Sequence, residues 1–262
     1  MSTLAPLDAG LAEFLVPYLP AGGRHRTLTY AASLDSRISA SRTEQTALSG
    51  PETKTMTHFL RSRHDAILVG SGTAVCDDPG LNCRLPDASG VLRSPRPVVV
   101  DTNFSWDVQQ HSRAVRTARD GAGLGPWVLV RADAADGAAT VGGAAEYARK
   151  RAVLEAVGGA VLPVLPVADG AAVYGRARWD AVFGALEARG VESLMIEGGA
   201  RVINDLLALG PAAVDSVVVT VAPLFLGARG VEVSPLDGRH DMDAVRWQPV
   251  GRDVVLGGVL RA

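Results

Sequence analysis

Two segments of this sequence bring glycines to points where a chain would leave a β-strand, and two arginines could complete a binding site around them. The first segment is Gly70-Ser71-Gly72-Thr73-Ala74-Val75-Cys76-Asp77-Asp78-Pro79, directly after the apolar run Ala66 to Val69. Open α/β sheets bind ligands at the carboxyl ends of their strands, and glycines let the backbone approach a phosphate closely. Thr73 and Asp77 are four residues apart, so a helical turn here would put them on one face. In the second, Ile196-Glu197-Gly198-Gly199-Ala200-Arg201-Val202-Ile203-Asn204-Asp205, a strand again ends in glycines and enters a helix. The free N–H groups at such a helix start receive a pyrophosphate, and Glu197 at the strand tip can accept hydrogen bonds from a pair of sugar hydroxyls. Arg61 and Arg84 add guanidinium forks of the kind that suit phosphate dianions. Each feature also has a plain structural alternative: a capped glycine turn, a solvent-facing glutamate, a solvated arginine. Asp35, in Ser33-Leu34-Asp35-Ser36-Arg37, is either a turn former or a polar group at the mouth of a pocket.

Other chemistries lose support. A dinucleotide-binding G-x-G-x-x-G would need glycine where Val75 stands, and Asp78-Pro79-Gly80 interrupts the long helix it requires. His25, His58, His64, His111 and His240 form no H-E-x-x-H set, and there is no H-x-E with P-C-x-x-C as in zinc deaminases. No G-x-S-x-G elbow appears. Cys76 and Cys83 lack partners at zinc-ligand spacing and are read as reduced thiols, so no metal is expected. Lys and Arg total 26 against 28 Asp and Glu, a net charge of −2 with no basic block, which disfavours nucleic acid. A small phosphorylated ligand needs only a few local cations. Met1 to Pro20 has no basic region followed by an apolar one, and no apolar run reaches the ~18 residues of a membrane span. The expectation is a cytoplasmic protein without membrane contact.

The elements that must position these residues follow from hydrophobic pattern. Asp8 to Leu19 has apolar residues at Leu11, Phe14, Leu15, Tyr18 and Leu19, a helical rhythm that Pro20-Ala21-Gly22-Gly23 ends. Arg26 to Ser33 is predicted as a strand with a short continuation, Arg37 to Ala40. Ser49-Gly50-Pro51-Glu52 opens a helix running to about Arg63, with proline in the first turn and Glu52 at the positive dipole end. The runs Ala66 to Val69, Pro97 to Val100, Trp127 to Val130, Ala160 to Leu165 and Ser193 to Ile196, together with Val214 to Val221, are predicted strands. Helices are predicted over Ala144 to Val157, Trp179 to Arg189 and Gly199 to Leu209. This alternation points to a largely parallel sheet covered on both faces, closed by Arg252 to Leu260 as an edge or antiparallel strand. Arg119 to Gly125 and Ala132 to Gly143 are surface insertions, so 1–262 is one domain, with 1–24 a docking helix and lead-in.

Taken in order, Thr29-Tyr30-Ala31-Ala32-Ser33-Leu34-Asp35-Ser36-Arg37, Ser49-Gly50-Pro51-Glu52, Leu60-Arg61-Ser62-Arg63-His64-Asp65-Ala66-Ile67-Leu68-Val69-Gly70, Thr73 with Asp77-Asp78-Pro79, and Glu197-Gly198-Gly199 resemble the riboflavin-pathway pyrimidine reductases. The likeness spans roughly Arg26 to Val221 and is to the stand-alone fungal type, since the deaminase half of the bacterial bifunctional enzyme is missing. The resemblance implies an α/β, dihydrofolate-reductase-like fold, a mixed and mostly parallel sheet with helices on both faces, and a homodimer. It implies a hydride passed from NADPH to C1′ of 2,5-diamino-6-ribosylamino-4(3H)-pyrimidinone 5′-phosphate, opening the sugar through an imine to the ribitylamino product. By position, Ala31, Thr73, Asp77 and Gly198, Gly199, Ala200 and Arg201, on towards Asp205, would contact NADPH. Arg61, Leu81, Arg84 and Glu197 would contact substrate. Two positions depart from bacterial members: Ala47 stands in place of a Trp, and Gln45 in place of a small hydroxyl residue. Asp35 is the candidate proton donor beside water, and Arg42 and Arg201 are candidates for the cofactor's 2′-phosphate. The alternatives are a dihydrofolate- or pterin-reductase-like enzyme and a non-catalytic nucleotide-binding module. The arginine pair favours a sugar phosphate over a folate, and the joint presence of Thr73, Asp77, Arg61, Arg84 and Glu197 argues against the module.

Overall fold

The computed structural model describes residues 4–41, 46–134, 137, 140–165, 175–235 and 240–261; Arg42 and Gln45 lie outside them. The chain begins with α1 (Ala9–Leu15), β1 (His25–Ser33), β2 (Arg37–Ser39), α2 (Pro51–Ser62), β3 (Ala66–Gly70) and α3 (Ser71–Asp77). It continues with β4 (Arg96–Val100), α4 (Arg113–Arg119), β5 (Trp127–Arg131), α5 (Gly143–Glu155), β6 (Ala160–Leu165) and α6 (Arg176–Glu187). Then come β7 (Ser193–Gly198), α7 (Ala200–Leu209), β8 (Ser216–Ala222), the short β9 (Val231–Glu232), and the hairpin β10 (Met242–Val250) and β11 (Asp253–Leu260).

Nine strands form one sheet in the order β10-β11-β8-β1-β7-β3-β4-β5-β6, while β2 and β9 make a small ribbon of their own. The pairings from β8 through to β6 are parallel, and only β11 is reversed, so that it pairs antiparallel with both β8 and β10. The period-two geometry of a strand explains why the interior runs are continuously apolar. Ile67 and Val69 of β3 face a cluster with Phe14, Leu15 and Leu60, while Ala66 and Leu68 face a second cluster with Trp179, Leu186 and Ile203. Burying each such side chain fully contributes roughly 1.5–3 kcal/mol. The two clusters place α1, α2 and α5 on one face and α6 and α7 on the other. The fold is therefore α/β, with helices on both faces of a mixed, mostly parallel sheet.

Pro51 occupies the first position of α2 after the Gly50 cap, as expected. Its cap is completed from far along the same chain: the Asp253 carboxylate at the start of β11 accepts from Gly50 N (2.8 Å) and Thr53 Oγ1 (2.6 Å). Three of these elements, β11, β10 and α4, depart from expectation. The closing strand is antiparallel but not an edge, because β10 covers it. β10 carries mostly exposed residues and Pro249, the pattern of a protected edge strand, so no apolar run announces it. α4 presents only Ala114 and Val115 to the core, too few to set a helical rhythm.

The sheet order also creates the site. From β3 the chain moves outward to β4, whereas from the adjacent β7 it crosses to β8 on the other side of β1. Connections leaving two neighbouring strands in opposite senses open a crevice above their carboxyl ends.

Candidate active site

A cleft of about 580 Å³ occupies that crevice. α3 starts from the tip of β3 and α7 from the tip of β7, each directly after a glycine. The two tips touch. A Cβ added at Gly70 would stand 3.1 Å from Val202 Cγ2, and one added at Gly199 would stand 3.1 Å from Thr73 Oγ1. Gly198 has φ +105°, a conformation that side chains rarely adopt, and an added Cβ would lie 2.9 Å from Ile203 Cδ1. The Gly198–Gly199 peptide bond is cis.

Of the residues expected to hold a cofactor, Thr73, Asp77, Gly199, Ala200 and Arg201 line the cleft, as does Asp205. Burial raises the pKa of Asp77, and it raises that of Asp205 against the pull of Arg178 and Arg201. Two expected residues stand apart from the lining. Gly198 is buried behind Ile203, and Ala31, half-buried on β1 opposite Thr220 of β8, does not reach the cleft.

Sequence reasoning missed the facing wall, Thr102, Asn103 and Ser105 after β4, together with Ile38 and Ser39 of β2 and Trp179 of α6. The strand-tip rule that singled out Gly70 applies equally to Asp101-Thr102-Asn103 after the apolar run of β4. Asp101 itself builds the turn, its carboxylate accepting from Ser105 N (2.9 Å), Ser105 Oγ (2.8 Å) and Trp106 N (2.7 Å).

The residues expected to bind substrate form a second cluster beside β7, outside the cleft lining. Arg61 donates from Nε to Glu197 Oε1 (3.0 Å), from Nη2 to Glu197 Oε2 (2.7 Å) and from Nη1 to the Asn82 carbonyl (3.0 Å). Arg84 lies against His58, with its Nε 3.2 Å and Nη2 3.0 Å from Nε2 and its backbone N 3.1 Å from Nδ1; a neutral imidazole accepts at one of its two nitrogens only. His58 is buried on α2, and burial together with the charges of Arg61 and Arg84 pushes its pKa down to about 3. Leu81 is 2% exposed within the core cluster and takes φ +54°, so its side chain is spent on packing and a ligand could meet only its backbone.

Asp35 is corrected. Its carboxylate accepts from Ser33 Oγ (2.5 Å), Leu226 N (3.0 Å) and Gly227 N (2.7 Å). These bonds, that from Ser33 foremost, hold its pKa down at about 2. A carboxylate so engaged is a poor proton donor. Its visible work is to tie the turn after β1 to the segment after β8, beside the β2–β9 ribbon whose Ile38, Ser39 and Val231 line the cleft.

Comparison with known proteins gives this arrangement a context. Residues 24–256 match the family described as RibD C-terminal domain. The 2,5-diamino-6-ribosylamino-4(3H)-pyrimidinone 5′-phosphate reductase of Debaryomyces hansenii is 41% identical over 260 residues, covering 97% of this chain and 98% of its own length. The protein of the same name from Eremothecium gossypii is 40% identical, covering 98% and 99%. The structure of the riboflavin biosynthesis reductase of Saccharomyces cerevisiae superposes with a TM-score of 0.72 at 33% identity, over 96% of this chain and 99% of that one. With the family match running through both glycine tips and both arginines, and with relatives this similar along nearly their whole length, the chain belongs to the RibD C-terminal domain family.

Proposed function

We propose that this protein reduces 2,5-diamino-6-ribosylamino-4(3H)-pyrimidinone 5′-phosphate with NADPH to the ribitylamino product. The observation that carries the reading is an adjacency. Glu197, paired with Arg61, and Gly199, which lines the cleft, stand two residues apart at the tip of β7. A cofactor-sized cleft and a sugar-phosphate-sized group of charges therefore share one strand end. The relatives at 41% and 40% identity bear the name of this activity.

The residues present fit a nicotinamide dinucleotide. The cleft lies within the roughly 300–1,000 Å³ typical of ligand sites, and Gly70 and Gly199 leave the backbone bare where its two walls meet. The first-turn N–H groups of α7 would receive the pyrophosphate. Thr73 and Asp77 would hold the cofactor from the α3 wall, and the exposed Arg201 would meet its 2′-phosphate. When bound, the cofactor supplies the hydride; orientation and charge matching fall to the chain. Glu197, fixed by Arg61, orients the sugar hydroxyls, and Arg84 meets the 5′-phosphate. The ring oxygen leaves C1′ as a hydroxyl by taking the amine's own proton, one hydride reaches C1′ of the resulting imine, and one further proton replaces the one the nitrogen gave up. With Asp35 held as a carboxylate, water entering the open cleft delivers that proton.

The homodimer and the cytoplasmic setting belong to the same proposal. Trp247 (60% exposed) and Val245 (42% exposed) on the edge strand β10 offer a second copy an apolar contact. Cys76 and Cys83 form no disulfide, in keeping with a reducing compartment. The deciding experiment incubates purified protein with NADPH and the ribosylamino-pyrimidine phosphate. A product two hydrogens heavier, formed one-for-one with NADPH oxidation, is expected; an unchanged mass overturns the reading. Sedimentation of the protein and of Trp247→Glu tests the dimer.

A further inference from the structure

Lys54, His58 and Arg61 fall at i, i+4 and i+7 of α2 and so share one face. The segment bearing Arg84 folds back onto that face, with Cys83 Sγ donating to the His58 carbonyl (3.2 Å) and the Arg84 guanidinium reaching His58 Nε2 from Nε (3.2 Å) and Nη2 (3.0 Å). The two arginines differ in what holds them. Arg61 has both oxygens of a carboxylate on its fork, so its charge is compensated within the protein. Among the described residues Arg84 has no carboxylate in ion-pair contact, and its side chain is anchored on an imidazole that is 4% exposed.

That imidazole is neutral. Burial and the positive charges of Arg61, Arg84 and Lys54 oppose its protonation; a guanidinium can only donate, so Nε2 is the accepting nitrogen and the ring's one proton sits on Nδ1. An uncharged acceptor orients a guanidinium without neutralising it, whereas a carboxylate in the same place would cancel the charge an incoming anion needs.

We infer that His58 is a positioning residue that holds Arg84 through an uncharged acceptor, so that Arg84, and not Arg61, brings uncompensated positive charge to the substrate's phosphate. Arg61 serves to fix Glu197. This assignment rests on the proposed function only in taking the anion to be a sugar phosphate.

The test titrates ribose 5-phosphate calorimetrically into the wild-type protein, His58→Gln and His58→Phe, with steady-state kinetics in parallel. Glutamine keeps an uncharged acceptor and retains affinity. Phenylalanine keeps the bulk, loses the anchor, and weakens binding roughly tenfold, the scale of one lost hydrogen bond to a charged group. In turnover, H58F raises KM for the phosphorylated pyrimidine by a similar factor with kcat little changed. Equal affinity in H58F and wild type overturns the assignment, as does a loss in H58Q as large as in H58F, or no measurable binding to the wild type. If H58F does not fold, Arg84→Gln and Arg61→Gln carry the same test: R84Q must lose more ribose 5-phosphate affinity than R61Q, and the reverse order overturns it. A wild type that binds ribose 5-phosphate without reducing the pyrimidine would refute the reductase reading while leaving the titration to judge His58.

Discussion

Arg61 and Glu197, 136 residues apart in sequence, meet in a two-bond ion pair whose side chains are only 14% and 17% exposed. Removing one partner from such a pair strands the other's charge in a partly dry place, so each single change should cost more than the pair is worth. Arg61→Gln and Glu197→Gln are each expected to lose about 1–3 kcal/mol of stability, and the double variant less than their sum. Urea unfolding of the four proteins gives the coupling. Strict additivity would mean that the pair contributes nothing as a pair. Both single variants should also lose kcat/KM, since Glu197 without Arg61 no longer has a fixed orientation.

The two glycines at the tip of β7 should separate stability from cofactor binding. Gly198→Ala forces a side chain onto φ +105° and into Ile203, and should destabilise the fold by roughly 1–3 kcal/mol. Gly199 has φ −78°, open to any residue, and among the described residues beyond its chain neighbours an added Cβ would meet Thr73 Oγ1 alone. G199A should fold normally yet bind NADPH severalfold more weakly, by pushing the Thr73 hydroxyl out of place. Once Thr73 is alanine, G199A should cost little more. Fluorescence titration with NADPH measures all three, and unaltered NADPH affinity in G199A would remove the cofactor from this cleft.

The sequence made these glycines conspicuous because a strand buried on both faces leaves an unbroken apolar run, and the run of β3 or β7 ends visibly where the glycines begin. β10 stayed hidden for the opposite reason: its residues face solvent, so no periodicity marks it. The site divides in the same way. Thr73, Asp77 and Gly199 are local to their strand tips and could be placed from spacing alone. That Glu197 is bound to Arg61, and Arg84 to His58, depends on how β7 and the segment after α3 fold against α2, which no local pattern encodes. Residue type singled out Glu197, Arg61 and Arg84 but not their partners. Asp35 shows the limit of position as evidence, since its place after the first strand suits a proton donor as well as the turn clamp it forms.

Asp35→Asn tests that clamp. The amide keeps one acceptor oxygen but turns an N–H group towards a backbone N–H or the Ser33 hydroxyl, so one of the three bonds to Asp35 must be lost. The rim formed by the turn after β1 and Leu224–Gly227 should loosen, raising KM for NADPH a few fold and lowering the melting temperature. The shape of the kcat–pH profile should not change. Disappearance of an ionisation from that profile in D35N would restore Asp35 as the proton donor.

His64 sets a pH dependence of stability. Its Nδ1 donates to the Leu60 carbonyl (2.7 Å) and its Nε2 accepts from Thr27 Oγ1 (2.8 Å), and burial lowers its pKa from 6.5 to about 4. The folded protein therefore needs the neutral ring. Above pH 6.5 both folded and unfolded chains carry it neutral, and stability is full. As pH falls from 6.5 towards 4 the unfolded chain takes up a proton that the folded protein refuses, and stability falls by about 1.4 kcal/mol per pH unit for this one group. His58, held at about 3, adds a second proton of the same sign over the same window. Asp35, with its pKa near 2, titrates below that window. Urea unfolding between pH 4 and 8 should show the decline, and in His64→Gln the slope should be shallower by one proton. Equal slopes in the two proteins would show that His64 does not resist protonation in the folded state.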